Sequence, residues 1–135
     1  MMASISEIEG IGPKNAEKLN TVGIKTVEKL LEMGASPKGR KEIAEKTGIG
    51  EVSILEWVNR ADLFRIKGVG EEFSDLLEAA GVDTVKELAQ RKPDNLLAKL
   101  TEVNMEKKLV RRMPVLSAVT DWVKQAKELP RIVTY

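Results

Sequence analysis

The segment IEGIGPKNAEKLNTVGIKTVEKLL, Ile8 to Leu31, lines up without a gap against IKGVGEEFSDLLEAAGVDTVKELA, Ile66 to Ala89. Gly10/Gly68, Gly12/Gly70, Leu19/Leu77, Gly23/Gly81, Thr26/Thr84, Val27/Val85 and Leu30/Leu88 coincide. A later echo sets EWVNRADL, Glu56 to Leu63, beside DWVKQAKEL, Asp121 to Leu129, with Trp57 opposite Trp122. Self-similarity of this kind marks an internal duplication, and it constrains the fold more than any other feature. Matched apolar positions must be buried in both copies, so the paired Leu, Val and Trp residues are the predicted core. For the two tryptophans, core packing outweighs any binding role.

Between the matched positions the chain is punctuated at helix-sized intervals. Pro13 suits a first helical position, where its missing N–H costs nothing, and Gly23 closes that helix. Thr26 caps the next helix, TVEKLLEM, and Gly34 is expected to end it. Ser36 and Pro37 open a third helix to roughly Lys46, followed by TGIG and the helix EVSILEWVNRA. Thr84 with Glu87 fits a capping box. Long β-branched alternations are few, so the chain reads as all-α. The expected domains are a first repeat unit over residues 1–65 and a second, diverged one over 66–135, two pseudo-symmetric copies sharing one core.

Composition excludes much chemistry. The 135 residues contain no Cys and no His. That removes thiolate or imidazole zinc sites, cysteine nucleophiles, disulfides and histidine acid–base catalysis. Adjacent acids such as Glu71 and Glu72 read as helix-start charge, and no nucleophile–base spacing or nucleotide-binding loop is present. The chain is therefore read as non-catalytic and without a cofactor. No apolar run approaches the roughly 18 residues a membrane span needs, and nothing resembles a signal peptide. The expectation is a cytoplasmic protein with no membrane role.

The pattern of short helix, Gly-Ile/Val-Gly, then a helix with Ala and Leu on its inner face resembles the helix-hairpin-helix motif. GIGPKNAEKL fits it closely, and KGVGEEFSDLLEAAG fits with Ser74 in place of Ala16. TGIGEVSILEWV, Thr47 to Val58, is a third plausible hairpin, and LTEVNMEKKLV, Leu100 to Val110, a fourth that has lost its glycines. The chain is also similar to a bacterial repeat family of this architecture with no assigned function. The resemblance implies that, where such a unit binds DNA, its glycine loop and the following helix start hold a backbone phosphate without reading a base.

Charge separates the copies. Gly10 to Lys41 holds seven basic residues against three acidic ones, net +4, with Lys14 and Lys18 beside the first loop. Gly68 to Gln90 holds one basic residue against six acidic ones, net −5, with Glu71 and Glu72 directly after Gly70. Carboxylates there complement the helix dipole themselves and repel phosphate, and Gly50 is likewise followed by Glu51. Arg91 to Arg112 is again net +4, ending in KKLVRR. At helical spacing Lys107/Arg111 and Lys108/Arg112 would form a positive ridge. The total is only +1, so the blocks can neutralise one another within a monomer or pair between chains.

Two functions are thereby expected. The first is weak, sequence-nonspecific binding to the duplex DNA backbone through Gly10, Ile11, Gly12, Lys14, Asn15 and Lys18, assisted by Lys107, Lys108, Arg111 and Arg112. The alternative is a protein–protein interaction or scaffold module with no nucleic-acid role. With five aromatic residues, most of them expected in the core, single-strand stacking is disfavoured.

Overall fold

The computed structural model describes residues 3–135. Among them the chain forms eight α-helices and one 3-10 turn, with no strand beyond an isolated Ser4–Thr26 bridge. The all-α expectation is met. The helices are α1 (Pro13–Thr21), α2 (Val27–Gly34), α3 (Pro37–Thr47), α4 (Glu51–Leu63), α5 (Glu71–Ala79), α6 (Val85–Ala89), α7 (Pro93–Lys107) and α8 (Leu116–Glu128).

The chain divides into two compact units, Met1–Asp62 with Ile132–Tyr135, and Leu63–Arg131. In the first, α2 and α1 both pack on α3. In the second, α6 and α7 both pack on α8, and α5 packs on α7. Its core joins Leu76, Leu77, Val85 and Leu88 to Leu96, Leu100, Val119, Trp122 and Val123. Phe73 lies against Trp122, ring centroids 5.2 Å apart.

The duplicated segments repeat several of their local bonds. Gly10 and Gly68 both sit at φ 95°, a conformation that glycine takes at little steric cost. Ile11 N–H donates to Ile8 (3.2 Å) as Val69 N–H donates to Ile66 (3.1 Å). Ile24 N–H reaches back to Leu19 (3.0 Å) as Val82 N–H does to Leu77 (2.8 Å). Thr26 caps α2 by accepting from Lys29 N–H (3.1 Å), and Thr84 caps α6 by accepting from Glu87 N–H (3.2 Å). Leu19, Leu77, Leu30 and Leu88 are all fully buried, and Trp57 and Trp122 are nearly so. Each tryptophan covers the first glycine of its own unit. A Cβ on Gly10 would lie 3.1 Å from Trp57 Nε1, and one on Gly68 would lie 3.0 Å from Trp122 Nε1.

Other features depart from the expected pattern. Gly34 is the last residue of α2, but Ala35 after it stays right-handed. Its glycine is there for contact instead, since a Cβ would lie 2.5 Å from Val58 Cγ2. Leu100 to Lys107 remains inside one continuous helix, so the expected fourth hairpin does not form there. Nothing in that stretch breaks a helix until Lys108. Lys108 turns left-handed, at φ 52°, in the place a glycine would usually fill.

The chain end is held by a buried arginine. Arg40, 6% exposed, donates to the carbonyls of Gly34 (2.9 Å), Ala35 (3.1 Å) and Thr134 (2.7 Å). It thus closes the end of α2, where helical carbonyls lack partners and carry partial negative charge. Thr134 N–H donates to Ala35 (2.8 Å), and Tyr135 places its ring 5.9 Å from the guanidinium. Arg40→Met keeps the aliphatic volume and removes the donors. It is expected to lower stability by about 1–3 kcal/mol, the cost of orphaning buried acceptors, measurable as a shift of the urea midpoint. An unchanged midpoint would show that water replaces the guanidinium.

Candidate nucleic-acid interface

Three loops in the chain share one construction. In each, a left-handed glycine precedes a buried aliphatic residue, and a second glycine starts a helix. Gly10, Ile11 and Gly12 lead into α1; Gly48, Ile49 and Gly50 into α4; Gly68, Val69 and Gly70 into α5. The aliphatic plugs are buried to similar degrees, with Ile11 6%, Ile49 7% and Val69 5% exposed. The second glycine accepts the first helical bond in every case, from Ala16 (2.9 Å), Ile54 (3.2 Å) and Ser74 (2.9 Å). All three second glycines are exposed, and a Cβ there would meet nothing within 4 Å. Packing within the chain therefore does not demand a glycine at those positions.

The loops differ in the helix start after the second glycine. α1 begins with no side chain bonded to its first N–H groups and no acid in its first turn. Lys14 and Lys18 are exposed, and Asn15 is half-buried. The N–H groups of Gly12, Lys14 and Asn15 therefore point from an open corner that carries the positive end of the helix dipole. α5 carries Glu71 and Glu72 in the same place, and α4 carries Glu51. There the carboxylates bring negative charge that complements the helix dipole.

Of the residues expected to bind, Gly10, Gly12, Lys14 and Lys18 are exposed at this corner, and Ile11 is turned inward. Only the backbone of Ile11 can face a ligand. Lys107, Lys108, Arg111 and Arg112 are exposed as well but belong to the other compact unit. The expected ridge is not formed. α7 ends at Lys107 and the residues after it are not helical, so Lys107/Arg111 and Lys108/Arg112 are not i,i+4 neighbours. The reason is a side-chain clamp. Asn104 donates to Val110 O (3.1 Å) and accepts from Val110 N–H (3.0 Å), which folds the segment back beside the helix end.

The structure adds a lysine that sequence spacing did not bring to this corner. A cleft of about 400 Å³ is lined by Lys14, Glu17, Lys18 and Thr21 from one face of α1 and by Lys46 and Thr47 from the end of α3. Lys46 lies far from the loop along the chain, so only the packing of α1 on α3 places it there.

A family model described as Domain of unknown function (DUF4332) matches residues 9–129, a span that takes in all three glycine loops. No curated protein and no solved structure matches the chain.

Proposed function

The chain belongs to that family of unknown function, and we propose that it is a non-catalytic helix-hairpin-helix module that binds the backbone of duplex DNA weakly and without sequence preference. The observation that carries this reading is the first loop. Gly12 is a glycine with open space around it, at a helix start free of side-chain caps and acids, with Lys14 and Lys18 alongside. The N–H groups of Gly12, Lys14 and Asn15 would donate to one phosphate oxygen pair, and the two lysines would neutralise its charge. No base edge is reached from such a corner, so the binding would not depend on sequence.

The phosphate contact rests on the first loop. Glu71 and Glu72 repel a phosphate from the equivalent corner at Gly70, and Glu51 does so at Gly50. Lys107, Lys108, Arg111 and Arg112 lie at or beyond the negative end of α7, and the helix start that follows them, α8 at Leu116, has no glycine loop before it.

Fluorescence anisotropy with a short labelled duplex tests the reading. Wild type is expected to bind at low salt, with log K falling against log salt at a slope of roughly −2 to −4, as two to four phosphates neutralised would give. Lys14→Glu should weaken low-salt binding by about tenfold or more, on the order of one lost charge-assisted hydrogen bond. Equal affinity for the two proteins, or no binding by wild type at low salt, would remove the first loop as a site.

A further inference from the structure

The opposite charge blocks of the second unit leave eight exposed charges without an ion pair. Lys107, Lys108, Arg111 and Arg112 are exposed, as are Glu71, Glu72, Asp83 and Glu87, and among the described residues none of the eight side chains forms an ion pair. The sequence left two ways to neutralise these blocks, within a monomer or between chains. These eight side chains do not use the first.

The basic segment also carries four of the seven exposed large hydrophobic residues found among the described residues. Met105 is 77% exposed, Leu109 39%, Val115 64% and Leu116 48%. Neighbouring apolar side chains left in water with charged ones at their edge are a mark of an interaction surface. The backbone beneath them is held in shape by the Asn104–Val110 pair and by burial of Val110 and Pro114. The patch is thus presented on a fixed loop, which lowers the ordering cost of docking.

Two copies cannot pair this patch with itself, because four cations from each would face one another, and like charges opposed across an interface are strongly unfavourable. The chain does carry exposed residues of the complementary sign, Glu71 and Glu72 at the start of α5 and Asp83 and Glu87 around α6, with Lys86 within that stretch and Arg91 reaching back to the Gly81 carbonyl. We propose that residues 105–116 of one copy dock on the Glu71–Glu87 face of a second copy, a heterologous head-to-tail contact. Carboxylates of the second copy would pair with Lys107, Lys108, Arg111 and Arg112, and the covered side chains of Met105, Leu109, Val115 and Leu116 would supply the apolar part. This inference is independent of DNA binding at the first loop.

Sedimentation velocity on the full chain across a concentration series tests it. At about 20 mM salt, where screening is weak, the weight-average mass of wild type is expected to rise with concentration. At about 0.5 M it should return to the monomer value. The double variants Lys108→Glu/Arg111→Glu and Glu71→Lys/Glu72→Lys should each lose association by at least about tenfold on its own. An equimolar mixture of the two should restore it, because each then supplies the surface the other lacks; restoration also shows that both variants are folded. Wild type that stays monomeric at low salt overturns the proposal, as do variants that associate like wild type or a mixture that fails to recover. Wild type that stays monomeric but sediments with anionic phospholipid vesicles would overturn it in favour of a membrane surface.

Discussion

Replacing Trp57 with alanine is expected to cost about 3–5 kcal/mol of folding stability, the range for deleting a large aromatic side chain from a packed core. Trp57 is 5% exposed on α4, and its indole lies directly over Gly10, so truncation removes both apolar burial and the roof of the first glycine loop. A domain stabilised by only about 5–15 kcal/mol has little margin for such a loss. Urea denaturation followed by far-UV circular dichroism should show a midpoint well below that of wild type. Trp57→Phe, which keeps most of the apolar area, should lose distinctly less. Trp122→Ala should behave in the same way in the second unit, where the indole covers Gly68 and meets Phe73. A loss under about 1 kcal/mol at Trp57, well below that core-truncation range, would mean that the indole is not a core element.

Gly68→Ala should also destabilise strongly, for two separable reasons. Holding alanine at φ 95° costs about 1–3 kcal/mol of backbone strain. The new methyl would also sit 3.0 Å from Trp122 Nε1, in a contact the buried indole cannot easily relax, adding an overpacking cost of about 1–3 kcal/mol. Gly70→Ala, two residues along, is the matching control. Its backbone is extended and nothing lies within 4 Å of the added methyl, so it should cost only about 0.5–1 kcal/mol, the penalty of alanine as a poorer N-cap than glycine. The same contrast is expected between Gly10→Ala and Gly12→Ala. Thermal melts of the four variants check it. Equal losses at the first and second glycine of a loop would sink this account of why the loop has two.

That contrast shows how much of the site could be read before the coordinates. The motif G-x-G announces two glycines, and the repeat announces that they matter twice. Their division of labour depends on what lies above each one. The first is fixed by a tryptophan nearly fifty residues along the chain, while the second faces open space. Lys46 is a similar case, brought to Lys14 and Lys18 by helix packing alone. The KKLVRR cluster departs from its expected ridge for a local reason. Its charges have helical spacing, but the side chain of Asn104 offers Val110 backbone hydrogen bonds that compete with continuing the helix. Position 108 then takes a left-handed turn without a glycine to signal it.

By itself the sequence determined the class of fold, the helix starts at Pro13, Thr26, Ser36 and Thr84, and the set of duplicated apolar positions that are buried. These come from short-range physics: proline at a helix start, hydroxyl side chains that cap within three residues, and apolar spacing that gives a helix one inner face. The tertiary structure decided which glycines are roofed and which are open, whether the basic and acidic blocks meet, and where the last four residues lie. Arg40 draws that terminal segment to the end of α2 by supplying donors to carbonyls more than ninety residues apart in the chain. Such choices rest on partners distant along the chain, and no local preference of the residues involved encodes them.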